Sequence, residues 1–182
     1  MPTDTRHRFE QEVLPFLGAA HNLARWLLRD AHDAEDAVQD ALLRAYRFFG
    51  GHRGDNPRAW LLAIVRNTCF TWRAQHPRGE SVPLDWIEST AATGATGSTE
   101  IATPETALHR QAERELLWRG LSALPLEFRE VLVLRELEGL SYKEIGVVAN
   151  VPLGTVMSRL SRGRSLLKEA LTQGPIKESQ RG

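Results

Sequence analysis

Apolar residues in the first part of the chain recur every three or four positions, which is the spacing of amphipathic helices. The first such stripe runs from Phe9 to Leu27. Pro15 lies inside it and lacks a backbone N–H, so we expect this proline to kink or divide the helix. The pattern predicts helix from the beginning of the chain rather than strand.

A second helical stripe is predicted after Asp33, whose side chain is a suitable N-cap. The pair Gly50-Gly51 should end it, since glycine commonly follows the last turn of a helix. The predicted buried positions of this helix are Ala34, Ala37, Val38, Ala41, Leu42, Ala45, Tyr46 and Phe49.

Asn56-Pro57 gives a third start signal, a capping side chain followed by proline at the first helical position. This helix should continue to about Gln75 and end at His76-Pro77. Its predicted core stripe consists of Leu61, Ile64, Val65, Thr68, Cys69 and Trp72.

The composition changes over residues 77–103, which include the tract STAATGATGST at 89–99. Such a tract offers too little apolar surface to offset the entropy of ordering, so we predict a flexible linker. Helices resume at Thr103-Pro104 to about Ala123, and again over Leu126–Leu137 before Gly139. The predicted fold is all-α, with two small helical domains at 8–76 and 104–172 joined by the linker 77–103.

The last two predicted helices have the spacing of a helix-turn-helix. Ser141 and Glu144 form a capping box that opens a helix of about eight residues. Asn150 suits a left-handed turn, and the final helix then extends to about Leu171. The apolar face of that final helix, expected to pack on Ile145 and Val148, consists of Val156, Leu160, Gly163 and Leu167.

The 23 basic and 23 acidic residues give a net charge of zero, so only the uneven distribution of charge along the chain is informative. Residues 151–168 carry four basic side chains and no acidic one. A local basic face attracts phosphate even on a neutral chain. The residues turned outward on the final helix, suited to a major groove or alternatively to a solvated surface, are Thr155, Ser158, Arg159, Ser161 and Arg162.

Other classes of protein find little support in the sequence. The single cysteine, Cys69, excludes an internal disulfide and is typical of a reducing compartment, and the longest aliphatic run, 60–65, is too short to cross a bilayer. No secretion signal is recognisable, so we expect a cytoplasmic protein without membrane insertion. The six histidines are scattered without metal-ligand spacing, and no phosphate loop or nucleophile elbow occurs, so neither a metal, a cofactor nor catalysis is expected.

The segment LSYKEIGVVANVPLGTVMSRLSRGRSLL, at 140–167, resembles the carboxy-terminal helix-turn-helix, region 4, of extracytoplasmic-function (ECF) sigma factors. Two positions differ from the usual pattern of that family: Met157 occupies a position often held by a basic residue, and Gly146 replaces a usual alanine. The matching residues are Pro152, Gly154, Thr155, Val156, Ser158, Arg159, Leu160, Arg162 and Arg164. The resemblance implies that Thr155, Ser158, Arg159 and Arg162 face the −35 promoter element, and that Arg135, Tyr142 and Lys143 contact its phosphates.

Residues 33–46 resemble region 2 of the same family, the part that binds core RNA polymerase. The alternative to a polymerase-binding surface is an ordinary charged outer face on which Leu43 is a single exposed leucine. The resemblance implies that the polymerase-binding surface consists of Asp36, Gln39, Asp40, Leu43, Arg44 and Arg47.

Residues 56–68 resemble the segment that recognises and opens the −10 element, with the loop at 50–55 and Asn67 holding a flipped base. For Trp60, packing within the domain is an equal alternative. The implied −10 residues are Arg58, Trp60, Arg66, Asn67, Phe70 and Arg73.

The resemblance covers about residues 8–75 and 104–171, and it implies core RNA polymerase, promoter DNA and an anti-sigma factor as partners. Two other functions remain open from the sequence. A sigma mimic could titrate an anti-sigma factor without touching DNA, although such a protein should lack the outward arginines. A single-domain repressor would explain residues 104–171 and leave the first domain without a role.

Overall fold

The computed structural model describes residues 2–52, 54–77 and 104–172, and every regular element in these ranges is helical. The predicted linker, from residue 78 to residue 103, lies outside the described residues. Eight α-helices are present in the described part, together with a 3-10 turn at Leu14–Phe16 and a π-helical turn at Val133–Leu137. The helices are α1 (Pro2–Glu12), α2 (Leu17–Leu28), α3 (Ala31–Phe49), α4 (Pro57–Gln75), α5 (Pro104–Ala123), α6 (Leu126–Leu132), α7 (Tyr142–Ala149) and α8 (Leu153–Thr172).

The first domain consists of α1 to α4, with α2, α3 and α4 packed against one another. Pro15 divides the first predicted helix, as expected, because the 3-10 turn separates α1 from α2. Phe9 on α1 is buried and meets the rings of Tyr46 and Phe49 edge-on, at centroid distances of 5.2 and 5.3 Å. These aromatic contacts hold α1 against α3.

Helix α3 begins earlier than the sequence predicts. Arg29 adopts a left-handed conformation at φ 60° and ends α2, and Asp30 is then the N-cap, its Oδ1 accepting a hydrogen bond from the Asp33 amide at 2.9 Å. The prediction of Asp33 as the cap is wrong, because the cap follows the left-handed turn. The prediction of a buried Tyr46 is also wrong: Ala45 and Phe49 take the inward direction, and Tyr46 is left exposed.

Helix α4 begins and ends as predicted. The Asn56 side chain accepts a hydrogen bond from the Ala59 amide at 3.0 Å, and Pro57 occupies the first turn. Its inward stripe differs slightly from the prediction, because Ile64 and Trp72 are only half-buried. The fully buried members are Ala59, Leu61, Leu62, Val65, Thr68 and Cys69.

The second domain consists of α5 to α8, and the predicted helix-turn-helix is confirmed. Ser141 and Glu144 form the reciprocal capping box, and Asn150 is left-handed at φ 53°. Helix α8 packs on α6 as well as on α7. At Gly163 an ideal Cβ would lie 3.2 Å from Leu132 Cδ1, so a glycine permits this close approach of α8 to α6.

The two domains are in contact. Helix α4 packs on α7, and α2 packs on α6. Buried apolar side chains of both domains belong to one continuous cluster. The guanidinium of buried Arg129 donates to the carbonyl of Trp26 at 3.2 Å, across the boundary, and also to carbonyls of its own domain. This arrangement determines which of the predicted site residues reach solvent.

Candidate functional site

The residues predicted to bind polymerase lie together on one face of α3. All of them are solvent-exposed, and Leu43 has 59% of its surface accessible. The face holds Asp36, Gln39, Asp40, Leu43, Arg44 and Arg47. Leu43 is therefore an exposed apolar side chain among charges, and a single exposed leucine is by itself common on protein surfaces.

The sequence analysis missed two aromatic neighbours of this face. Phe48 has 68% of its surface accessible and Tyr46 has 44%. The helical period could have indicated Tyr46, because Ala45 and Phe49 already fill the inward positions on either side. Together with Leu43, these rings widen the apolar part of the exposed surface of α3.

The basic residues predicted for the −10 element are engaged within the protein. Arg66 Nε donates to Glu130 Oε1 at 2.6 Å, and its guanidinium carbon lies 3.9 Å from the centre of the Phe70 ring. Arg58 Nη2 donates to the backbone carbonyl of Glu138 at 2.5 Å and lies 3.2 Å from the carboxylate of the same residue. Both acidic partners belong to the second domain.

The remaining −10 candidates differ in their surroundings. Arg73 is exposed and donates to the carbonyl of Leu27 at 2.9 Å, while Asn67 is exposed at the middle of α4. Trp60 is half-buried, with its ring stacked on His52 at 4.3 Å and tilted toward Phe49. Trp60 therefore touches both the domain core and the loop that follows α3.

Three carboxylates of this contact region, Glu130, Glu138 and Glu144, were not predicted from the sequence to contact the first domain. Asn56 Nδ2 donates to Glu144 Oε1 at 2.6 Å, so the cap of α4 and the capping box of α7 are joined. Glu138 also accepts a hydrogen bond from Asn22. The one sequence signal concerns Glu130, which lies between Leu126 and Leu134 at helical spacing and so places a charge in an apolar stripe.

Burial and hydrogen bonding shift the pKa values of two of these carboxyl groups in opposite directions. Burial raises the pKa of Glu130, whose side chain is 1% exposed, and outweighs the lowering by the hydrogen bond and charge of Arg66. The pKa of Glu144 is lowered, mainly because it accepts hydrogen bonds at the Ser141 cap. Glu144 thus stays ionised with satisfied oxygens, whereas Glu130 is a buried charge that depends on its partner.

The exposed side of α8 carries part of the predicted −35 set. Ser158 and Arg162 are exposed, as is Lys143 on α7. Thr155 is half-buried, and Arg159 departs from the predicted outward orientation: its side chain is 23% exposed and lies 3.7 Å from the carboxylate of Glu127.

Two further −35 candidates stand beside the turn before α7. Arg135 Nη1 donates to the carbonyl of Leu140 at 2.7 Å, and its guanidinium carbon lies 5.2 Å from the centre of the Tyr142 ring. Neighbouring Arg164 forms an ion pair with Glu136 at 2.8 Å. The edge of the helix-turn-helix is therefore rich in cations, some of them already paired.

A search of the described residues finds no group of three or more His, Cys, Asp or Glu side chains able to hold a metal ion. Among the same residues, none of the helices combines the length and the apolar character needed to span a bilayer.

Family comparisons match both domains. The model described as "Sigma-70 region 2" matches residues 13–78, and "Sigma-70, region 4" matches residues 114–167. The chain is 36% identical over 137 residues to the ECF RNA polymerase sigma-E factor of Escherichia coli strain K12, covering 74% of this chain and 72% of that protein. It is 33% identical to the RNA polymerase sigma-H factor of Pseudomonas aeruginosa, covering 91% of this chain and 87% of that protein.

Two solved structures share the fold. The sigma factor RpoE of Bartonella quintana, in complex with the anti-sigma factor NepR, aligns with a TM-score of 0.66 and 25% identity, over 92% of this chain and 98% of that chain. CnrH in complex with the cytosolic domain of CnrY aligns with a TM-score of 0.64 over 93% and 91% of the two chains, and at 23% identity it shows the fold alone. From its two helical domains and these relatives, the chain belongs to the ECF group of sigma-70 family factors, which are non-enzymatic and bind RNA polymerase to direct transcription initiation.

Proposed function

We propose a division of labour for this ECF sigma factor, in which α3 docks on core polymerase, α8 reads the −35 element and α4 captures the −10 element. The proposed domain boundaries are 8–76 and 104–172, with residues 77–103 setting the spacing between them. The observation that carries the proposal is that separate domains expose a mixed apolar and acidic face on α3 and a cationic, hydroxyl-rich face on α8.

The proposed polymerase contact rests on the composition of α3. Leu43, Tyr46 and Phe48 are exposed apolar groups beside Asp36 and Asp40. Interfaces are anchored by a few buried apolar or aromatic side chains, while surrounding charges set orientation and association rate. We therefore assign the anchor to the apolar groups and partner selection to the carboxylates.

The proposed −35 contact rests on the exposed start and middle of α8. Arg162 is exposed and Ser158 lies on the same side of the helix, with Lys143 of α7 nearby in the motif. An arginine can grip a guanine edge with two hydrogen bonds, worth about 1–3 kcal/mol of discrimination, and lysine can bind phosphate. Arg159 would add a second base contact if it exchanges Glu127 for DNA.

The proposed −10 contact rests on α4. Capturing a base from the stack costs a few kcal/mol, which aromatic stacking and hydrogen bonds to the base edge must offset. Phe70 and Trp60 supply rings, Asn67 supplies an amide, and Arg58, Arg66 and Arg73 supply cations. The exposed position of Asn67 on α4 supports its role in holding a flipped base.

The proposed setting is the bacterial cytoplasm, with an anti-sigma factor as regulator. A relative of known structure, the sigma factor RpoE, is bound to the anti-sigma factor NepR, which supports a regulator of that kind for this chain. The reducing compartment agrees with a single buried cysteine, Cys69.

Run-off transcription tests the proposed function. Purified core polymerase is supplied with genomic fragments, with and without this chain. We expect promoter-dependent transcripts only when the chain is present. Absence of such transcripts, together with no binding to core, would favour a mimic that titrates an anti-sigma factor.

A further inference from the structure

Two apolar side chains are exposed at the start of α8, the helix to which the −35 contact is assigned. Met157 has 53% of its surface accessible and Leu153 has 46%. The two residues are four positions apart, so they lie on one side of the helix, one above the other. One exposed apolar residue is common on a protein surface, but two in a row on the turns that would enter a DNA groove require an explanation.

Small residues surround Met157 on this surface. Gly154 lies three positions before it, Ser158 follows it directly and Ser161 lies one turn further along, and all three are exposed. The hydroxyl of Ser158 is directed back to its own helix, where it donates to the carbonyl of Thr155 at 3.0 Å. Because its neighbours are short, the methionine side chain protrudes beyond them.

The composition of the surface around Met157 favours DNA over a protein as its partner. Residues 151–168 contain four basic side chains and no acidic one, and Arg162, one turn beyond Ser158, is exposed. Such a basic surface attracts phosphate. Two apolar side chains among glycine and serines form too small a patch to anchor a protein interface, which buries about 800 Å² on each partner.

Thymine is the base whose edge in the major groove carries an apolar group. It presents its C5-methyl beside the O4 acceptor, whereas the other three bases present donors or acceptors that need a hydrogen bond. A methionine side chain is flexible and polarizable and has no hydrogen to donate, so it can pack on the methyl group. Against another base it would leave a polar edge without a partner, which costs free energy.

We propose that Met157 is a specificity-determining residue that contacts the C5-methyl group of a thymine in the −35 element. The inference rests on the proposed −35 role of α8. Leu153 extends the same apolar row toward the beginning of the helix, where it helps to exclude water from the contact.

Helix geometry indicates where this thymine lies relative to the guanine assigned to Arg162. Five positions separate Met157 from Arg162, or about 7.5 Å along the helix axis. Base pairs of B-DNA are about 3.4 Å apart. The thymine should therefore lie within about two or three base pairs of that guanine.

Removing one methyl group from the DNA tests the contact. Holoenzyme formed from core polymerase and the full chain is bound to duplexes of a promoter identified in the run-off assay, with each −35 thymine replaced in turn by deoxyuridine. Deoxyuridine keeps O4 and the base pair and lacks only the methyl group. Fluorescence anisotropy at one fixed salt concentration should show a loss of about fourfold at one thymine, the value expected for one buried methyl group.

Variants at position 157 connect that methyl group to the protein. Met157→Ala should bind the thymine and deoxyuridine duplexes equally, while Met157→Leu, which remains apolar and long, should keep most of the preference for thymine. Leu108→Ala is the matched control, because it also shortens an exposed apolar side chain of the second domain, but on α5, and it should keep the full preference. Circular dichroism shows that each variant is folded.

The DNA can also be changed in the opposite sense. Cytosine in place of the critical thymine should weaken binding by the wild type, and 5-methylcytosine at the same place should restore part of the affinity. Met157→Ala should not distinguish cytosine from 5-methylcytosine. Arg162→Ala, measured on duplexes with each −35 guanine changed in turn, identifies the guanine from which the distance to the thymine is counted.

Equal affinity for thymine and deoxyuridine at every −35 position would overturn the Met157 contact. So would a −35 element with no thymine within that distance of the guanine, or a methyl effect that persists in folded Met157→Ala. In each of these cases a promoter-specific loss in Arg162→Ala would leave the proposed function intact. A holoenzyme without any promoter-specific binding would instead remove the proposed −35 role of α8, and this inference with it.

A protein partner for Met157 is a separate outcome. Weaker binding of Met157→Ala to core polymerase, together with an unchanged ratio of affinities for thymine and deoxyuridine, would assign the side chain to a protein interface and overturn its contact with DNA.

Discussion

At the residue scale, Gly139 shows how a single backbone conformation ends an element. It follows the π-helical turn at φ 67°, and its amide donates to the carbonyl of Arg135 at 3.1 Å. No atom lies within 4 Å of an ideal Cβ there, so only the backbone conformation disfavours a side chain.

We predict that Gly139→Ala lowers the free energy of unfolding by about 1–2 kcal/mol, the cost of a left-handed conformation for alanine. Chemical denaturation measures the loss. Gly50→Ala is the matched control, because Gly50 has φ −60° and open space around an ideal Cβ. The free energy of unfolding of that variant should not fall below that of the wild type. Equal losses in both variants would contradict the conformational explanation.

Arg162 is the residue on which recognition of the −35 element is predicted to depend most, because it is exposed on α8 and no ion pair in the described part of the chain engages it. We predict that Arg162→Ala weakens promoter binding by about 1–3 kcal/mol, or roughly 5- to 150-fold, if it grips a guanine. Holoenzyme binding to promoter DNA measures the change, at one fixed salt concentration. Equal loss on every sequence would show that Arg162 contacts phosphate rather than a base.

At the element scale, α3 has two chemically different sides. Its inward side is lined by alanines, which let α2 and α4 approach, while its outward side exposes Leu43 among charges. Because the two sides are separate, a charge can be reversed on the outer one without disturbing the core.

We predict that Asp40→Arg lowers affinity for core polymerase at least about 10-fold, since like charges placed in an interface cost several kcal/mol. It should leave the DNA affinity of the isolated chain unchanged. Pull-down or light scattering with core polymerase measures the first quantity, and anisotropy measures the second. If Asp40→Arg and Arg162→Ala impair the same step, the division of labour between α3 and α8 is wrong.

At the scale of the whole molecule, the buried pair between Arg66 and Glu130 couples stability to pH. Burial raises the pKa of Glu130 above its ordinary value, and the facing cations Arg66 and Arg159 only partly counteract this. The folded chain therefore binds more protons than the unfolded chain between these two pKa values. Stability contributed by this group is complete below the ordinary pKa and is lost as pH rises through the raised one.

We predict that the difference in unfolding free energy between the wild type and Glu130→Gln shifts against the wild type as pH rises from about 4 toward neutrality. The slope cannot exceed about 1.4 kcal/mol per pH unit for one proton. Urea denaturation at several pH values gives the difference, in which contributions from other groups cancel. A shift in favour of the wild type with rising pH would show that Arg66 lowers this pKa more than burial raises it.

The helices, their caps and the helix-turn-helix could be read from the sequence because these features are local. Asn56, Ser141 and Asn150 act on amides or turns within four residues, and periodicity reports which side of a helix is apolar. The start of α3 was missed because the left-handed Arg29 carries no residue-type signal for its conformation.

The sequence by itself determined the all-helical class, the two domains and the family to which the chain belongs, since each follows from spacing and short motifs. Only the tertiary structure decided that Arg66 meets Glu130 and Arg58 meets Glu138, pairs separated by 64 and 80 positions. Such pairings depend on how two finished domains pack: the periodicity of α6 marks Glu130 as a charge in an apolar stripe, but the sequence offers many cations as its partner. Three-dimensional proximity selects among them, because ionic contacts act over a few ångströms and carry no trace in local periodicity.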